Sequence, residues 1–176
     1  VMSFPSELEA FRHYAQTFPE ACTFLVDTYD TLRSGVPNAI KVMQEMKASG
    51  IELKNYGIRL DSGDLAYLSK KARKMLDEAG FTDAKITASS DLDENLIMSL
   101  KLQGAKINNW GVGTKLITSD DCPSFGGVYK LAAESDGNGA FIPKIKLSNN
   151  PSKVTNPGIK KIIRFYDKST GKIKAD

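Results

Sequence analysis

Histidine is nearly absent from this sequence: 176 residues contain one, His13. It lies in a stretch, Pro5 to Phe18, where Leu8, Phe11, Ala15 and Phe18 recur at helical spacing, so it reads as a surface or helix-flank side chain. A mechanism that needs any other histidine must be served from outside this sequence, and acyl transfer by a Ser-His-Asp set is disfavoured. Cysteine is almost as scarce. Cys22 and Cys122 stand far apart, with no CxxC and no histidines clustered around them, which argues against a disulfide scaffold and against structural zinc. Long apolar runs are missing too. Nothing approaches the roughly 20 residues of a membrane helix, and nothing at Val1 resembles a signal or transit peptide, so a cytoplasmic protein is the default.

Charge of one sign is also lacking. The net charge is +3, with 24 Lys and Arg against 21 Asp and Glu. Lys160, Lys161, Lys168, Lys172 and Lys174 carry much of the excess, and they read as a solvated surface. No basic stripe interleaved with aromatics is present, so nucleic acid is not an expected partner. What is there is 41% apolar and 26% charged, the composition of a soluble globular domain able to bury one core.

Short apolar runs alternate with amphipathic segments. Thr23 to Val26, Tyr56 to Leu60, Ala84 to Ala88 and Lys106 to Gly111 read as buried strands, each followed by a turn and a helix pattern. One helix has Pro37 near its start, Ala39, Ile40, Met43 and Met46 on one face, and Gly50 past its end. The next carries Leu65, Leu68, Ala72, Met75, Leu76 and Ala79 and stops at Gly80. The third opens on Asp91-Leu92-Asp93-Glu94 and runs to Gly104. Repeated strand, turn and helix is the signature of parallel βα units, closing into a barrel or opening into a doubly wound sheet. The expected class is therefore α/β. After Pro123 the pattern changes: Gly127 to Glu134, Phe141 to Leu147 and Ile162 to Tyr166 read as strands without helices between them, with loops at Asp136-Gly137-Asn138-Gly139 and Asn149-Asn150-Pro151. This divides the sequence into an α/β portion, 1–122, and an antiparallel β extension, 123–176. Val1 stands ahead of the first methionine, and Gly171-Lys172-Ile173-Lys174 reads as the start of a strand cut short, so a piece of a longer chain is expected.

Parallel βα architectures bind ligands at the carboxyl ends of their strands, where loops and helix N-termini converge. All four such ends are polar here. The first, Val26-Asp27-Thr28-Tyr29-Asp30-Thr31, offers two carboxylates and hydroxyls that suit a sugar or a hydrated magnesium ion, and equally suit the capping of a turn. At the second, Arg59-Leu60-Asp61-Ser62-Gly63-Asp64, the period of two sends Arg59 and Asp61 to one side. The arginine fork fits a carboxylate or phosphate and the aspartate fits ribose hydroxyls, with a structural ion pair as the other reading. Asp64 reads as the N-cap of the following helix. The third end, Ala88-Ser89-Ser90-Asp91, supplies small hydroxyls, Ser90 among them, and backbone N–H groups. The fourth, Gly111-Val112-Gly113-Thr114-Lys115, lets the backbone approach an anion, with Thr114 and Lys115 beside it. It is neither a Walker loop nor GxGxxG. Together these ends point to a phosphosugar or nucleotide-precursor enzyme that stabilises a ribosyl cation and its leaving pyrophosphate by electrostatics.

The same residues carry a resemblance. Phe24-Leu25-Val26-Asp27-Thr28-Tyr29-Asp30-Thr31, Ile58-Arg59-Leu60-Asp61-Ser62-Gly63-Asp64-Leu65, Ala88-Ser89-Ser90-Asp91-Leu92-Asp93 and Gly111-Val112-Gly113-Thr114-Lys115-Leu116 are similar, in order, to the strand-end motifs of nicotinate phosphoribosyltransferases. Gly126-Gly127-Val128-Tyr129-Lys130-Leu131 and Lys153-Val154-Thr155-Asn156-Pro157-Gly158 resemble that family's tail. The resemblance implies part of an irregular type II phosphoribosyltransferase barrel, a homodimer with shared active sites, and condensation of nicotinate with phosphoribosyl pyrophosphate, coupled to ATP hydrolysis with magnesium. It implies that Arg59 faces the nicotinate carboxylate, Asp27 and Asp61 the ribose, and Gly111, Gly113 and Thr114 the phosphoribosyl phosphate. The family's phosphohistidine lies in a Gly-Thr-x-x-His segment that would fall immediately before Val1. His13 does not fit that motif, so no catalytic residue is expected within this sequence. Tyr29-Asp30-Thr31 and Gly113-Thr114 favour the nicotinate branch over nicotinamide or quinolinate phosphoribosyltransferase. A noncatalytic piece of the same fold is the reading from another class.

Overall fold

The computed structural model describes residues 1–118 and 127–175. Two compact units are present, Val1–Tyr129 with Lys146–Val154, and Lys130–Ile145 with Thr155–Asp176. Cys122, Gly126 and the division placed after Cys122 lie outside the described residues.

The first unit holds α1 (Glu7–Thr17), β1 (Ala21–Leu25), α2 (Val36–Ala48), β2 (Asn55–Leu60), α3 (Leu65–Glu78), β3 (Lys85–Ser89), α4 (Glu94–Leu102), β4 (Asn109–Gly111) and α5 (Thr114–Ile117). The four strands form one parallel sheet in the order β1-β2-β3-β4. A sheet built in chain order winds in one direction, as a barrel wall does, whereas a doubly wound sheet reverses. Side-chain alternation divides its faces. Cys22, Phe24 and Val26, then Tyr56, Ile58 and Leu60, then Ile86 and Ala88, join Val42 and Met43 of α2 and Ala72 and Leu76 of α3 in one buried core. The opposite face carries Leu25, Arg59, Thr87 and Asn109, which share one line across the strands.

Helix starts follow local chemistry. Ser6, Asp64 and Asp93 each accept a backbone N–H of the first turn, at 3.2, 2.9 and 2.7 Å, as N-caps do. Ahead of α2 the chain makes a π-helical turn, Thr31–Gly35. Gly35 is required there by proximity: a Cβ would lie 1.9 Å from the Val26 carbonyl oxygen, so only glycine lets the start of α2 rest on the exit of β1.

Two expectations change. The fourth strand was expected over Lys106 to Gly111 and is confined to Asn109–Gly111. The reason is that its lead-in bonds to side chains: the Lys106 N–H donates to Ser69 Oγ at 3.1 Å, and Asn108 Oδ1 accepts the Ile86 N–H at 2.9 Å. In the second unit the long tail strands contract to β5 (Ala133–Ser135) paired with β6 (Phe141–Pro143), and β7 (Phe165–Tyr166) paired with β8 (Ile173–Ala175), both antiparallel. Leu147 falls outside β6 because Lys146–Val154 belongs to the first unit. The Asp136 carboxylate closes the β5–β6 loop by accepting the Asn138 and Ala140 N–H groups at 2.8 and 3.0 Å. Among the described residues no helix is long and apolar enough to cross a membrane.

Candidate functional site

The exits of the four strands stand side by side because the register aligns them: Leu60 lies opposite Ala88, and Ser89 opposite Gly111. One residue further on, Asp61 comes level with Ser89. Arg59 Nε donates to Ser89 Oγ at 2.7 Å, Ser89 Oγ donates to Asp61 Oδ1 at 2.5 Å, and Arg59 Nη2 reaches the same oxygen at 3.3 Å. Arg59 and Asp61 are thus paired both directly and through a serine, the arrangement that the ion-pair reading allowed. Both side chains remain 49% and 40% exposed, so the pair adds little to stability; it orients the arginine. The Nη1 edge of the fork has no partner among the described residues and is open to a planar anion.

Asp27 does something different. It is 6% exposed, and its Oδ2 accepts the Asp61 N–H at 3.0 Å and the Ser62 hydroxyl at 2.6 Å. The carboxylate therefore buckles the first strand exit to the second. Its Oδ1 is buried with no hydrogen-bond partner among the described residues, an expensive arrangement that calls for a ligand or a neighbouring group. Asp30 is accounted for locally: Oδ1 accepts the Leu32 and Arg33 N–H groups at 3.1 and 2.9 Å. Of the two carboxylates left open between turn and ligand, Asp30 caps the turn and Asp27 holds the strand ends.

At the third exit Ser90 has φ 148° and Asp91 φ 45°, conformations that side chains rarely adopt and that concentrate at functional sites. At the fourth, a Cβ on Gly111 would press on Ser89 Cβ at 3.2 Å, while one on Gly113 would meet nothing within 4 Å among the described residues. The Gly113 backbone is accordingly open on the side its missing side chain would fill, and Thr114 begins α5 directly after it. Lys115, considered for the same anion, is turned to Asp93 with Nζ–Oδ2 at 2.7 Å. That ion pair, with the Leu96 N–H, holds the Asp93 carboxyl below its usual range.

Two cavities open here. One, of about 490 Å³, is lined by Asp27, Tyr29, Asp30, Ser62 and Tyr67, together with Ser148 and Asn149. The second, of about 220 Å³, lies between Ser62, Gly63 and Ser90 and the same tail segment. Sequence reading missed Ser89 as the bridge and missed the return of 146–154 to the strand exits; it registers Asn149-Asn150-Pro151 as a loop and Lys153-Val154 as the start of a tail motif. A cavity of about 650 Å³ between α1 and α2 touches none of the strand exits. His13 is exposed and stacks on the Phe4 ring at 5.0 Å. Burial pushes the Cys22 thiol up to about 12, which marks a packing residue rather than a nucleophile.

No group of three metal-binding side chains occurs among the described residues. Magnesium seldom uses an all-protein cage and is commonly held by one or two carboxylates plus substrate phosphates. The exposed Asp61 suits that mode; the Asp27 oxygens are too enclosed for a hydrated ion.

No model of a known protein family matches the chain. Over its whole length it is 60% identical to a nicotinate phosphoribosyltransferase of Bacillus subtilis. The chain belongs to the nicotinate phosphoribosyltransferase family. It spans about a third of the length of that relative, 35%. It is also 46% identical to a nicotinate phosphoribosyltransferase of Dictyostelium discoideum, over 92% of this chain and 27% of the relative, and 36% identical to the human one, over 92% and 30%. The crystal structure of human nicotinic acid phosphoribosyltransferase superposes with a TM-score of 0.55 at 34% identity, covering 62% of this chain and 23% of that one. A nicotinate phosphoribosyltransferase structure from Porphyromonas gingivalis gives 0.57 at 23% identity over 84% of this chain and 38% of that one, a likeness of fold. The α/β class, with its parallel four-stranded sheet and antiparallel pairs, is that of these family members.

Proposed function

We propose that the protein containing this nicotinate phosphoribosyltransferase segment joins nicotinate to phosphoribosyl pyrophosphate, releasing nicotinate mononucleotide and pyrophosphate, as a step of NAD biosynthesis in the cytoplasm. The observation that carries the reading is the Arg59–Ser89–Asp61 cluster beside buried Asp27, in a chain 60% identical to a protein named for this activity.

In this reading the open edge of Arg59 receives the nicotinate carboxylate, and the cluster sets the angle of the ring. Asp61 and Asp27 face the ribose, Gly111, Gly113 and Thr114 hold the phosphoribosyl phosphate, and Ser90 contacts the substrates from the third strand exit. The pyridine nitrogen lone pair forms the new bond to the ribose anomeric carbon. The bond from that carbon to the pyrophosphate oxygen breaks, and its electron pair leaves with pyrophosphate. No proton moves in this step. Carboxylates near the ribose stabilise the developing cation, which is where electrostatic preorganisation acts. Magnesium, with Asp61 as a carboxylate contact, would neutralise charge on the donor's phosphates. ATP hydrolysis is coupled through a histidine other than His13, and two copies of the protein form a homodimer that shares its active sites.

Incubating the protein with nicotinate, nicotinamide and quinolinate in parallel, each with phosphoribosyl pyrophosphate, and detecting products by mass spectrometry tests the reading. Nicotinate mononucleotide is the expected product. Turnover of nicotinamide alone would sink the assignment, and absence of any product would favour a noncatalytic role.

A further inference from the structure

Glu7, the first residue of α1, is 5% exposed, and burying a carboxyl group is costly unless its oxygens are paired. One of them is: Oε2 accepts the Ser34 hydroxyl and, at 2.9 Å, the Asn38 Nδ2. Oε1 is buried with no partner among the described residues. A half-satisfied buried carboxyl is a poor way to fasten one helix to another. Phe11 and Ala15 of α1 already join the core that α2 shares, and apolar packing fastens elements at less cost. What the carboxyl adds is a hold on Ser34.

Ser34 belongs to the π-helical turn Thr31–Gly35, and π-type turns concentrate at functional sites. The same turn is a wall of the candidate site: Thr31, Leu32 and Arg33 line the 490 Å³ chamber beside Asp27 and Tyr29. It is held from three directions. Asp30 takes up its backbone donors, the carbonyl oxygen accepting the Ser34 and Gly35 N–H groups at 3.0 and 2.9 Å and the carboxylate those of Leu32 and Arg33. Gly35 rests on the Val26 carbonyl. Glu7 supplies the third hold, and it does so from outside, since no residue of α1 lines the chamber among the described residues. The start of α2 has no side-chain cap on its backbone, so the bonds from Ser34 and Asn38 to Glu7 are what pin this junction from the side of α1.

We infer that Glu7 is a positioning residue for the ribose-bearing substrate: acting through Ser34, it fixes the Thr31–Gly35 turn as the wall against which the sugar beside Asp27 is seated. The identity of that substrate rests on the proposed function; the hold on the turn does not. Arg59 is absent from the lining of this chamber, so the pyridine substrate is held elsewhere and Glu7 acts on the phosphoribosyl donor. Without the hold the wall is free to shift, and the donor loses the advantage of a preformed chamber.

Calorimetric titration with phosphoribosyl pyrophosphate, on the full-length protein that contains this chain, tests the device. Ser34→Ala cuts the link to the turn while Asn38 still occupies Glu7, and is expected to weaken binding about tenfold. Glu7→Leu is expected to do the same, and the two changes together no more than either alone. Glu7→Gln, which keeps an acceptor oxygen for both donors, is expected to restore most of the affinity, and Glu9→Gln, on the same helix, to leave it unchanged. In steady-state kinetics the rise in KM should fall on phosphoribosyl pyrophosphate, with KM for nicotinate in place. A purely structural Glu7 gives a different result: earlier denaturation midpoints, with parent affinity and both KM values unchanged in the folded variants. That result would overturn the inference, as would equal rises in both KM values. Should Glu7→Leu fail to fold, Ser34→Ala decides between the two. Nicotinate mononucleotide made by the parent, with donor affinity unaltered in the variants, would sink the inference and leave the proposed function standing; weakened variants of a parent that makes none would do the reverse.

Discussion

Two arginines, one on strand β2 and one on helix α3, show how differently one residue type is used. Arg73 of α3 is closed. Its Nη1 donates to the Ala84 carbonyl at 2.7 Å, its Nη2 to the Phe81 carbonyl, and its Nε to Asp77 at 2.8 Å, with the side chain 16% exposed. Arg59 is open: the Ser89 hydroxyl and a long contact to Asp61 hold one side of the fork, and the side chain is 49% exposed. Arg73 ties a helix to the entry of β3. Arg59 is aimed, and its remaining donors wait for a partner. Saturation of the donors sets the structural guanidinium apart from the one proposed to bind nicotinate, where charge alone would blur them.

The comparison can be broken at its strongest point. Arg73→Ala leaves two backbone carbonyls short of a donor and should lower the unfolding free energy by about 2 to 4 kcal/mol, read as an earlier denaturation midpoint with an unchanged slope. A midpoint within error of the parent would mean that Arg73 is as dispensable to the fold as a surface ion pair. Next in size, Arg59→Ala should cost about 1.5 to 3 kcal/mol in nicotinate recognition, seen as a larger rise in KM for nicotinate than for the donor while the denaturation midpoint holds. Equal losses for both substrates would remove the carboxylate role.

The smallest effect tests a second closed cluster, where the Tyr56 hydroxyl donates to Asp83. The Tyr56 bond, chiefly, keeps the Asp83 carboxyl below its ordinary value against a smaller opposing effect of desolvation. A depressed carboxyl contributes stability that is present above its unfolded value, near 3.9, and is lost as pH falls through the folded one. The parent should therefore lose more stability than Tyr56→Phe between pH 5 and the acid limb, as measured by urea midpoints. Parallel pH curves would show the bond to be without weight.

Closed and open clusters differ in how readable they were. The parallel sheet was legible because Phe24, Ile58 and Ile86 sit in short apolar runs between glycine-ended helices. Arg59 and Asp61 could be placed on one side by strand periodicity alone. Ser89 could not: its bridging position depends on the β2–β3 register, Leu60 opposite Ala88, and a register is a property of two strands. The fourth strand was read too long because the bonds from Lys106 to Ser69 and from Ile86 to Asn108 substitute for ladder pairing. The return of the 146–154 segment to the strand exits was not legible for a related reason. Ser148, Asn149 and Asn150 have no apolar periodicity, and their partners lie far back in the chain.

Gly35 has a bearing on how damage to this protein would be noticed. With the Val26 carbonyl 1.9 Å from where any side chain would begin, every replacement pushes α2 away from β1 before a substrate is ever met. Variants at this codon would be removed by cellular proteases as unfolded chains. They would register in a cell as missing protein, with the surviving molecules' chemistry intact, unlike lesions at Arg59, which would leave abundance normal and turnover impaired.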